Sequence, residues 1–215
     1  SAGGATDTLA RLYATRMSAP AQQSFLVENR GGAGGNAGME VVARSRPDGS
    51  TIGVGGTSMH AIAPTLYPRL PFDAGRDFTF VSGLWRWPSL LVVNNDLPAR
   101  SLAELIALLK AEPGRHAYAT GGAGTPMHLS GEMLKQAAGL DMAHVPYRGG
   151  PAAMQDLLAG NLDSVVIDCA TGIPFITSGR VRTLCVFSEA RSPRAPDVPT
   201  LRELGHASAV AYGWQ

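Results

Sequence analysis

The sequence has no long hydrophobic run and no cluster of basic residues. Its longest apolar stretches are the length of a strand, such as 90–93, whereas a membrane-spanning helix requires about 20 residues. Its 18 Lys and Arg residues and 17 Asp and Glu residues leave a net charge of +1, and both signs are spread along the chain. We therefore predict no direct membrane insertion and no nucleic-acid partner. A basic start followed by an apolar segment is also missing, so an export signal is not part of this sequence.

Cysteine is scarce, because Cys169 and Cys185 are the only two in 215 residues. They fall at the end of one predicted strand and within the next, which leaves two outcomes open, a disulfide or buried free thiols. Neither has the spacing of a Cys-x-x-Cys or Cys/His site. The sequence also lacks the nucleophile-elbow, phosphate-loop and His-Glu-x-x-His motifs. We therefore predict that the protein is not an enzyme and needs neither a cofactor nor a metal ion.

Strand-like and helix-like patterns alternate through most of the chain. Ser101 and Glu104 have the spacing of a capping box and predict a helix that ends before Pro113 and Gly114. Strands are predicted at 24–27, 51–55, 78–84, 89–93, 116–119, 142–145, 163–167 and 182–187, and later helices at 126–138, 150–159 and 171–178. A second capping box, Thr200 with Glu203, predicts a last short helix. This alternation is typical of an α/β fold built from parallel βαβ units.

Glycine and hydroxyl residues are concentrated in four loops that precede predicted helices. These loops are 3–7, 31–36, 55–58 and 121–125. In open α/β sheets, ligands bind at the carboxyl ends of strands, where such loops expose backbone N–H groups and the positive ends of helices. One glycine loop is usually a plain turn, but four in one chain indicate a shared site for an anion such as a carboxylate or phosphate.

Several polar residues close to these loops have two interpretations. Asp168 follows the predicted strand at 163–167, where it either caps the next helix or accepts a hydrogen bond from a ligand. His60 and His128 each follow a glycine loop, and His144 lies in a predicted strand. For these histidines a capping or hydrogen-bonding role is favoured over catalysis.

The 32–37 segment offers an alternative function. Its sequence GAGGNA matches a dinucleotide-binding fingerprint with alanine in the last position, and it lies between a predicted strand and a predicted helix. A Rossmann domain would also place an acidic residue at the end of the next strand. Here that strand runs into Gly56, Thr57 and Ser58. A nucleotide-dependent enzyme is therefore the second hypothesis.

An ordered series of motifs resembles one family of transport receptors. The segments are GGATDTLAR at 3–11, VENRGGAGGN at 27–36, PDG at 47–49, GAGT at 122–125 with HLSGE at 128–132, HVPYRG at 144–149 and PDVPT at 196–200. Together they resemble the Bug family, also called TctC, the substrate-binding receptors of tripartite tricarboxylate transporters. The resemblance extends from Gly3 to Trp214.

The resemblance implies a periplasmic, two-lobed α/β protein of the Venus-flytrap type, with mixed, mainly parallel sheets. Its lobes would close on a small carboxylate, an organic acid or amino acid, and deliver it to membrane permease subunits. The first lobe would comprise 1–94 and 188–215, and the second lobe 95–187. The family's ligand-binding positions correspond to Gly4, Ala5, Thr6, Asp7, Thr57, Ser58, Gly122, Gly124, Thr125, His128 and Asp168.

The resemblance also implies that the first lobe is incomplete. Family members have a strand immediately before the first glycine loop and continue well beyond the position of Gln215. A fragment of the receptor with no binding activity of its own is therefore the third hypothesis.

Overall fold

The computed structural model describes residues 2–215 as an α/β protein with one six-stranded mixed sheet. The helices are α1 (Ala5–Ala21), α2 (Asn36–Ala43), α3 (Ala63–Leu66), α4 (Leu102–Ala111), α5 (Pro126–Ala138), α6 (Gly150–Leu158) and α7 (Cys169–Thr177). The strands are β1 (Arg86–Val93), β2 (Ala117–Thr120), β3 (Ala143–Pro146), β4 (Ser164–Asp168), β5 (Arg182–Val186) and β6 (Tyr212–Trp214). In the described part of the chain, no helix combines the length and hydropathy needed to cross a bilayer.

The sheet has the strand order β3-β2-β4-β1-β5, with parallel pairing among β2, β3 and β4 and antiparallel pairing around β1. Apolar side chains fill both of its faces. One core contains Leu105 of α4 and Leu134 of α5, and the other contains Met154 of α6 and Ile176 of α7. Because α5, α6 and α7 follow the parallel strands β2, β3 and β4, their N-termini lie at the same edge of the sheet as the carboxyl ends of those strands.

Local sequence signals account for the elements between 101 and 186. Ser101 accepts a hydrogen bond from the Glu104 amide at 3.2 Å, while the Glu104 carboxylate accepts one from the Arg100 amide at 2.7 Å. This capping box begins α4 where predicted. Helix α5 has the predicted bounds, since Thr125 caps its start and Gly139 adopts the left-handed conformation after its end.

Four predicted elements did not form. The segments 24–27, 51–55 and 78–84 have no regular secondary structure and pair with no strand among the described residues, and Leu26 on the first of them is 94% exposed. An apolar pattern gives a strand only when a partner strand satisfies its backbone groups. Thr200 and Glu203 exchange both capping-box hydrogen bonds, at 2.7 and 3.0 Å, yet only a series of turns follows, because Gly205 turns the chain at φ +84°.

Strand β1 pairs residues from both sides of the boundary predicted between the lobes. Residues 89–93 were predicted to belong to the first lobe, and they pair with β4 and β5, which were predicted for the second lobe, at the centre of one sheet. Leu201 and Ala209, also assigned to the first lobe, are fully buried in the core that α4 and α5 cover. The boundaries at 94 and 188 therefore do not follow the edges of this sheet and its core, and the division into two lobes stays a prediction.

The two cysteines are free, so the disulfide outcome does not occur. Cys185 lies on β5 opposite Leu91 of β1, and Cys169 directly follows β4 on the other side of β1. The central strand therefore separates them. Burial raises the pKa of the Cys169 thiol to about 12, so it is protonated at neutral pH.

Candidate functional site

The 121–125 loop connects β2 to α5 and is held by hydrogen bonds within itself. The Thr125 hydroxyl donates to the Gly122 carbonyl at 2.7 Å and accepts from the His128 amide at 3.3 Å, which caps α5. Gly122 and Gly124 have φ angles of +145° and +71°, which side chains larger than glycine rarely adopt. The first turn of α5 contains no acidic residue. The positive end of this helix therefore has no carboxylate of its own.

At 122–125, two of the four backbone amides have no hydrogen-bond partner among residues 2–215. The Gly122 amide donates to the Thr120 hydroxyl at 3.2 Å, and the Gly124 amide donates to Nδ1 of His128 at 3.3 Å. The amides of Ala123 and Thr125 form no hydrogen bond within residues 2–215. Gly122 and Gly124 were predicted to contact the ligand, but their amides are already in use. The available donors are those of Ala123 and Thr125.

The second glycine loop contacts the 121–125 loop. A β-carbon built on Gly34 would lie 3.0 Å from the Ala123 carbonyl oxygen, and one on Gly35 would lie 2.9 Å from the Met59 sulfur. Met59 is in the π-helical turn Ser58–Ile62, which begins within the third predicted loop. These contacts place the 31–36, 55–58 and 121–125 loops side by side.

The first loop is joined to the second through Asp7. Helix α1 begins at Ala5, within the predicted loop, and Gly4 is its N-cap. The Asp7 carboxylate accepts hydrogen bonds from the Gly3 amide at 2.9 Å and from the Asn29 side-chain amide at 2.8 Å, and Arg11 lies 2.8 Å away. The Asn29 and Gly3 hydrogen bonds lower the pKa of Asp7, so the carboxylate is charged at neutral pH.

Asp7 therefore occupies the positive end of α1 with its own negative charge. This position makes it unsuited to direct contact with a ligand carboxylate, since two like charges repel. Its contact with Asn29 instead fixes the 3–7 loop against the start of the 31–36 loop. Thr6 keeps an uncommitted hydroxyl, as its side chain makes no hydrogen bond within residues 2–215.

Thr57 and Ser58 differ in what their hydroxyls contact. The Thr57 hydroxyl accepts from the Trp214 amide at 2.8 Å and donates to the Trp214 carbonyl at 3.4 Å, which ties the third loop to β6. The half-buried Ser58 makes no side-chain hydrogen bond within the described residues. Of these two predicted ligand contacts, Ser58 is the one with a free hydroxyl.

Asp168 is the N-cap of α7. Its Oδ1 accepts a hydrogen bond from the Thr171 amide at 2.8 Å, and only 6% of the residue is exposed. Burial raises the pKa of this carboxyl group. Of the two interpretations of Asp168, the structure shows the cap, and a contact with the ligand stays a prediction.

Three residues that support the loops were not predicted from the sequence. Thr120 bonds to both backbone groups of Gly122, His144 contacts Thr120, and Asn29 binds Asp7. Thr120 could have been noticed as a hydroxyl residue at a strand end directly before a glycine loop. The other two act across 24 and 22 residues of sequence, where no local pattern indicates a contact.

The glycine loop at 32–37 does not have the surroundings of a dinucleotide site. The preceding segment is not part of a sheet, and the loop forms a 3-10 turn, Ala33–Gly35, before α2. Ala123 and Met59 cover Gly34 and Gly35, where a pyrophosphate would have to approach the backbone. Residues 2–215 also contain no group of three His, Cys, Asp or Glu side chains placed to hold a metal ion.

Comparison with known proteins identifies a family for nearly the whole chain. Residues 9–215 match the model of the tripartite tricarboxylate transporter family receptor, TctC. Protein BugT of Bordetella pertussis is 36% identical over 213 residues, which cover 99% of this chain and 65% of BugT. A UPF0065 protein from the tcbD-tcbE intergenic region of Pseudomonas sp. strain P51 is 37% identical over 201 residues, covering 94% of this chain and 60% of that protein. The chain thus spans less than two thirds of these relatives' lengths.

Solved structures show the same fold. An R. palustris protein with adipate superimposes with a TM-score of 0.96 at 34% identity, and MatC from Rhodopseudomonas palustris with bound malate with a TM-score of 0.93 at 32% identity. The periplasmic binding protein BugD gives 0.94 at 33% identity. Each comparison covers all of this chain and 71 to 73% of the other. The α/β fold is therefore that of periplasmic binding proteins, and the chain belongs to the TctC family of tripartite tricarboxylate transporter receptors.

Proposed function

We propose that this chain forms the carboxylate-gripping part of a solute receptor for a tripartite tricarboxylate transporter. The free amides of Ala123 and Thr125, at the positive end of α5, would bind one carboxylate group. The 31–36 loop and Ser58 would approach the ligand from the other side. In this proposal Asp7, Thr57, His128 and Asp168 hold the loops in place.

One observation carries this proposal. The 121–125 loop combines unpaired amides at Ala123 and Thr125, a helix N-terminus without an acidic first turn, and direct contact with a second glycine loop. At the start of α1 and α7, by contrast, the carboxylates of Asp7 and Asp168 already accept the amide hydrogen bonds. The start of α5 is therefore a favourable position for an external anion.

The relatives support a small organic acid as the ligand. Two solved structures with the same fold are described with adipate and with malate, which are both dicarboxylates. A site built from amides and hydroxyls recognises one carboxylate and leaves the rest of the ligand to other contacts. We expect this chain to bind dicarboxylates of similar size.

Family membership supports the cellular role. As a receptor of this transporter type, the protein would work in the periplasm and present its ligand to the membrane permease. A receptor binds and releases its ligand unchanged, in keeping with a non-enzymatic role. We further propose that two lobes close on the ligand and that residues 89–93 belong to the second lobe.

Ligand binding should be visible as thermal stabilisation. A carboxylate present at about 100 times its Kd adds roughly 2.7 kcal/mol to the free energy of unfolding, or about 5 to 10 °C in Tm for a chain of this size. We expect adipate, malate or a related dicarboxylate to produce this shift in differential scanning fluorimetry, and isothermal titration calorimetry to give a Kd.

The same screen separates the alternatives. A shift with NAD or NADP and none with carboxylates would favour the nucleotide-dependent enzyme. A chain that is folded by circular dichroism and binds no carboxylate would contradict the proposed function and leave the non-binding fragment.

A further inference from the structure

Two histidine rings stack directly behind the 121–125 loop. The rings of His128 and His144 have centroids 4.1 Å apart and planes within 25° of parallel. His128 lies in the first turn of α5 and His144 on β3. Both are half-buried. Two imidazoles at this separation cannot both carry a positive charge without strong repulsion.

Each ring supports one part of the loop. Nδ1 of His128 accepts the hydrogen bond of the Gly124 amide at 3.3 Å. Nε2 of His144 lies 2.7 Å from the Thr120 hydroxyl, which is bonded to both the amide and the carbonyl of Gly122. The Gly124 amide can only donate, so Nδ1 of His128 must carry no proton.

The charged and titratable groups around the pair favour the neutral rings. Glu132 and Lys135 lie on the same helix as His128, and Tyr118 faces the pair from β2. The Glu132 carboxylate accepts hydrogen bonds from the Tyr118 hydroxyl at 2.7 Å and from the Lys135 ammonium at 2.9 Å. Its negative charge is therefore already compensated and does little to stabilise a protonated imidazole.

Both histidine pKa values respond to these surroundings. Burial lowers the pKa of His128, and the nearby Glu132 only partly opposes this. Burial and the neighbouring His128 lower the pKa of His144 to about 4. Both rings are therefore mainly neutral at pH 7, as the hydrogen bond from Gly124 requires of His128.

We propose that His128 is a positioning residue whose neutral ring holds the 121–125 loop in its binding conformation. Protonation of His128 would release the loop and lower the affinity for the ligand. The inference rests on the proposed function of that loop. A proton on Nδ1 would place an N–H group against the N–H of Gly124, so the hydrogen bond would be lost and the loop would move. His144 and Thr120 hold the other end of the loop.

The direction of the pH effect follows from the lowered pKa. Above it, His128 stays neutral and its titration does not change the affinity. As the pH falls below the pKa of His128, the fraction of protein with a protonated His128 increases. The affinity for the ligand then decreases, by at most about tenfold per pH unit for a single proton.

Two substitutions test the role of His128. In His128→Asn the side-chain oxygen can still accept from the Gly124 amide but does not titrate, and in His128→Leu the acceptor is gone at similar size. With malate or adipate as the probe, calorimetry near pH 7.5 should give a Kd about tenfold weaker than the wild type for Leu, whereas Asn should retain clearly more of the wild-type affinity than Leu. The ratio of wild-type to Asn Kd should rise on acidification to about pH 4.5, and this ratio cancels titration of the ligand itself.

A second measurement needs no ligand. In ¹H–¹⁵N NMR spectra of the free protein, the Gly124 amide signal should shift with the same midpoint as the His128 ring, and should stay constant in His128→Asn. The inference would be overturned if the Gly124 amide signal did not change while His128 titrates. It would also be overturned if the Kd of the wild type and of His128→Asn changed with pH in the same way. Absence of any carboxylate binding at pH 7.5 would instead contradict the proposed function, and the NMR result would still decide the role of His128.

Discussion

Replacing Gly131 with alanine is expected to destabilise the protein by about 3 kcal/mol or more, as for severe overpacking of a core. The added methyl group would lie 2.6 Å from Cζ and 2.9 Å from the hydroxyl oxygen of Tyr118. Tyr118 is 1% exposed, and its hydroxyl is bonded to Glu132, so the ring cannot move aside freely. In an open helix the same change would stabilise by about 0.5 to 1 kcal/mol. Urea unfolding at neutral pH measures the difference.

A double-mutant cycle provides the control for this prediction. In a Tyr118→Leu background the clash is relieved, so the cost of Gly131→Ala should shrink to about 1 kcal/mol or less. If Gly131→Ala lowered the free energy of unfolding equally in both backgrounds, or raised it in the wild-type background, α5 would not pack on Tyr118 as described.

The second large effect concerns ligand binding. Gly124→Ala should weaken dicarboxylate binding by about tenfold to a hundredfold, equivalent to roughly 1.4 to 2.7 kcal/mol. The new methyl group would lie 2.8 Å from Cδ2 of Leu66 and would separate the 121–125 loop from the residues that face it. Calorimetric titration with malate or adipate measures the loss.

Gly139→Ala is the matched control. Gly139 has a φ of +63°, close to the +71° of Gly124, but a methyl group there would meet nothing within 4 Å. Both variants should therefore lose about 1 kcal/mol of stability from backbone strain, and only the variant at Gly124 should lose affinity. Similar affinities in the two variants would contradict a role for the 121–125 loop in binding.

The part of the fold encoded by local signals was predictable from the sequence. The capping hydroxyl of Thr125, the proline that follows it and the terminal Gly139 define α5 without reference to the rest of the chain. The predicted strands at 116–119, 142–145, 163–167 and 182–187 each formed within one residue of those bounds. The apolar side chains of β2, β4 and β5 are largely buried between two layers of helices, as such patterns require, whereas the edge strand β3 is only partly buried.

The rest depended on contacts distant in sequence. Nothing in the segment 86–93 reveals that it enters the sheet between β4 and β5 and runs antiparallel to both. The segments 24–27 and 51–55 have strand-like patterns, but pairing requires a neighbour that no local pattern supplies.

The sequence predicted which loops form the candidate site, but not which of their atoms are available to a ligand. Glycine and hydroxyl content identified the 121–125 loop and the 31–36 loop, which the structure places in contact. It did not reveal which donors are free. The Thr57 hydroxyl is used by Trp214, 157 residues away, and the Asp7 carboxylate by Asn29, so only coordinates distinguish a ligand contact from a support.

The central claim is that the amides beside α5 bind a carboxylate, and a crystal structure with malate or adipate tests it most directly. We predict a carboxylate group within hydrogen-bonding distance of the Ala123 and Thr125 amides, with the 31–36 loop against its other side. A ligand bound elsewhere, for example in the groove between Leu102 and His206, or a ligand that leaves both amides unpaired, would contradict the claim.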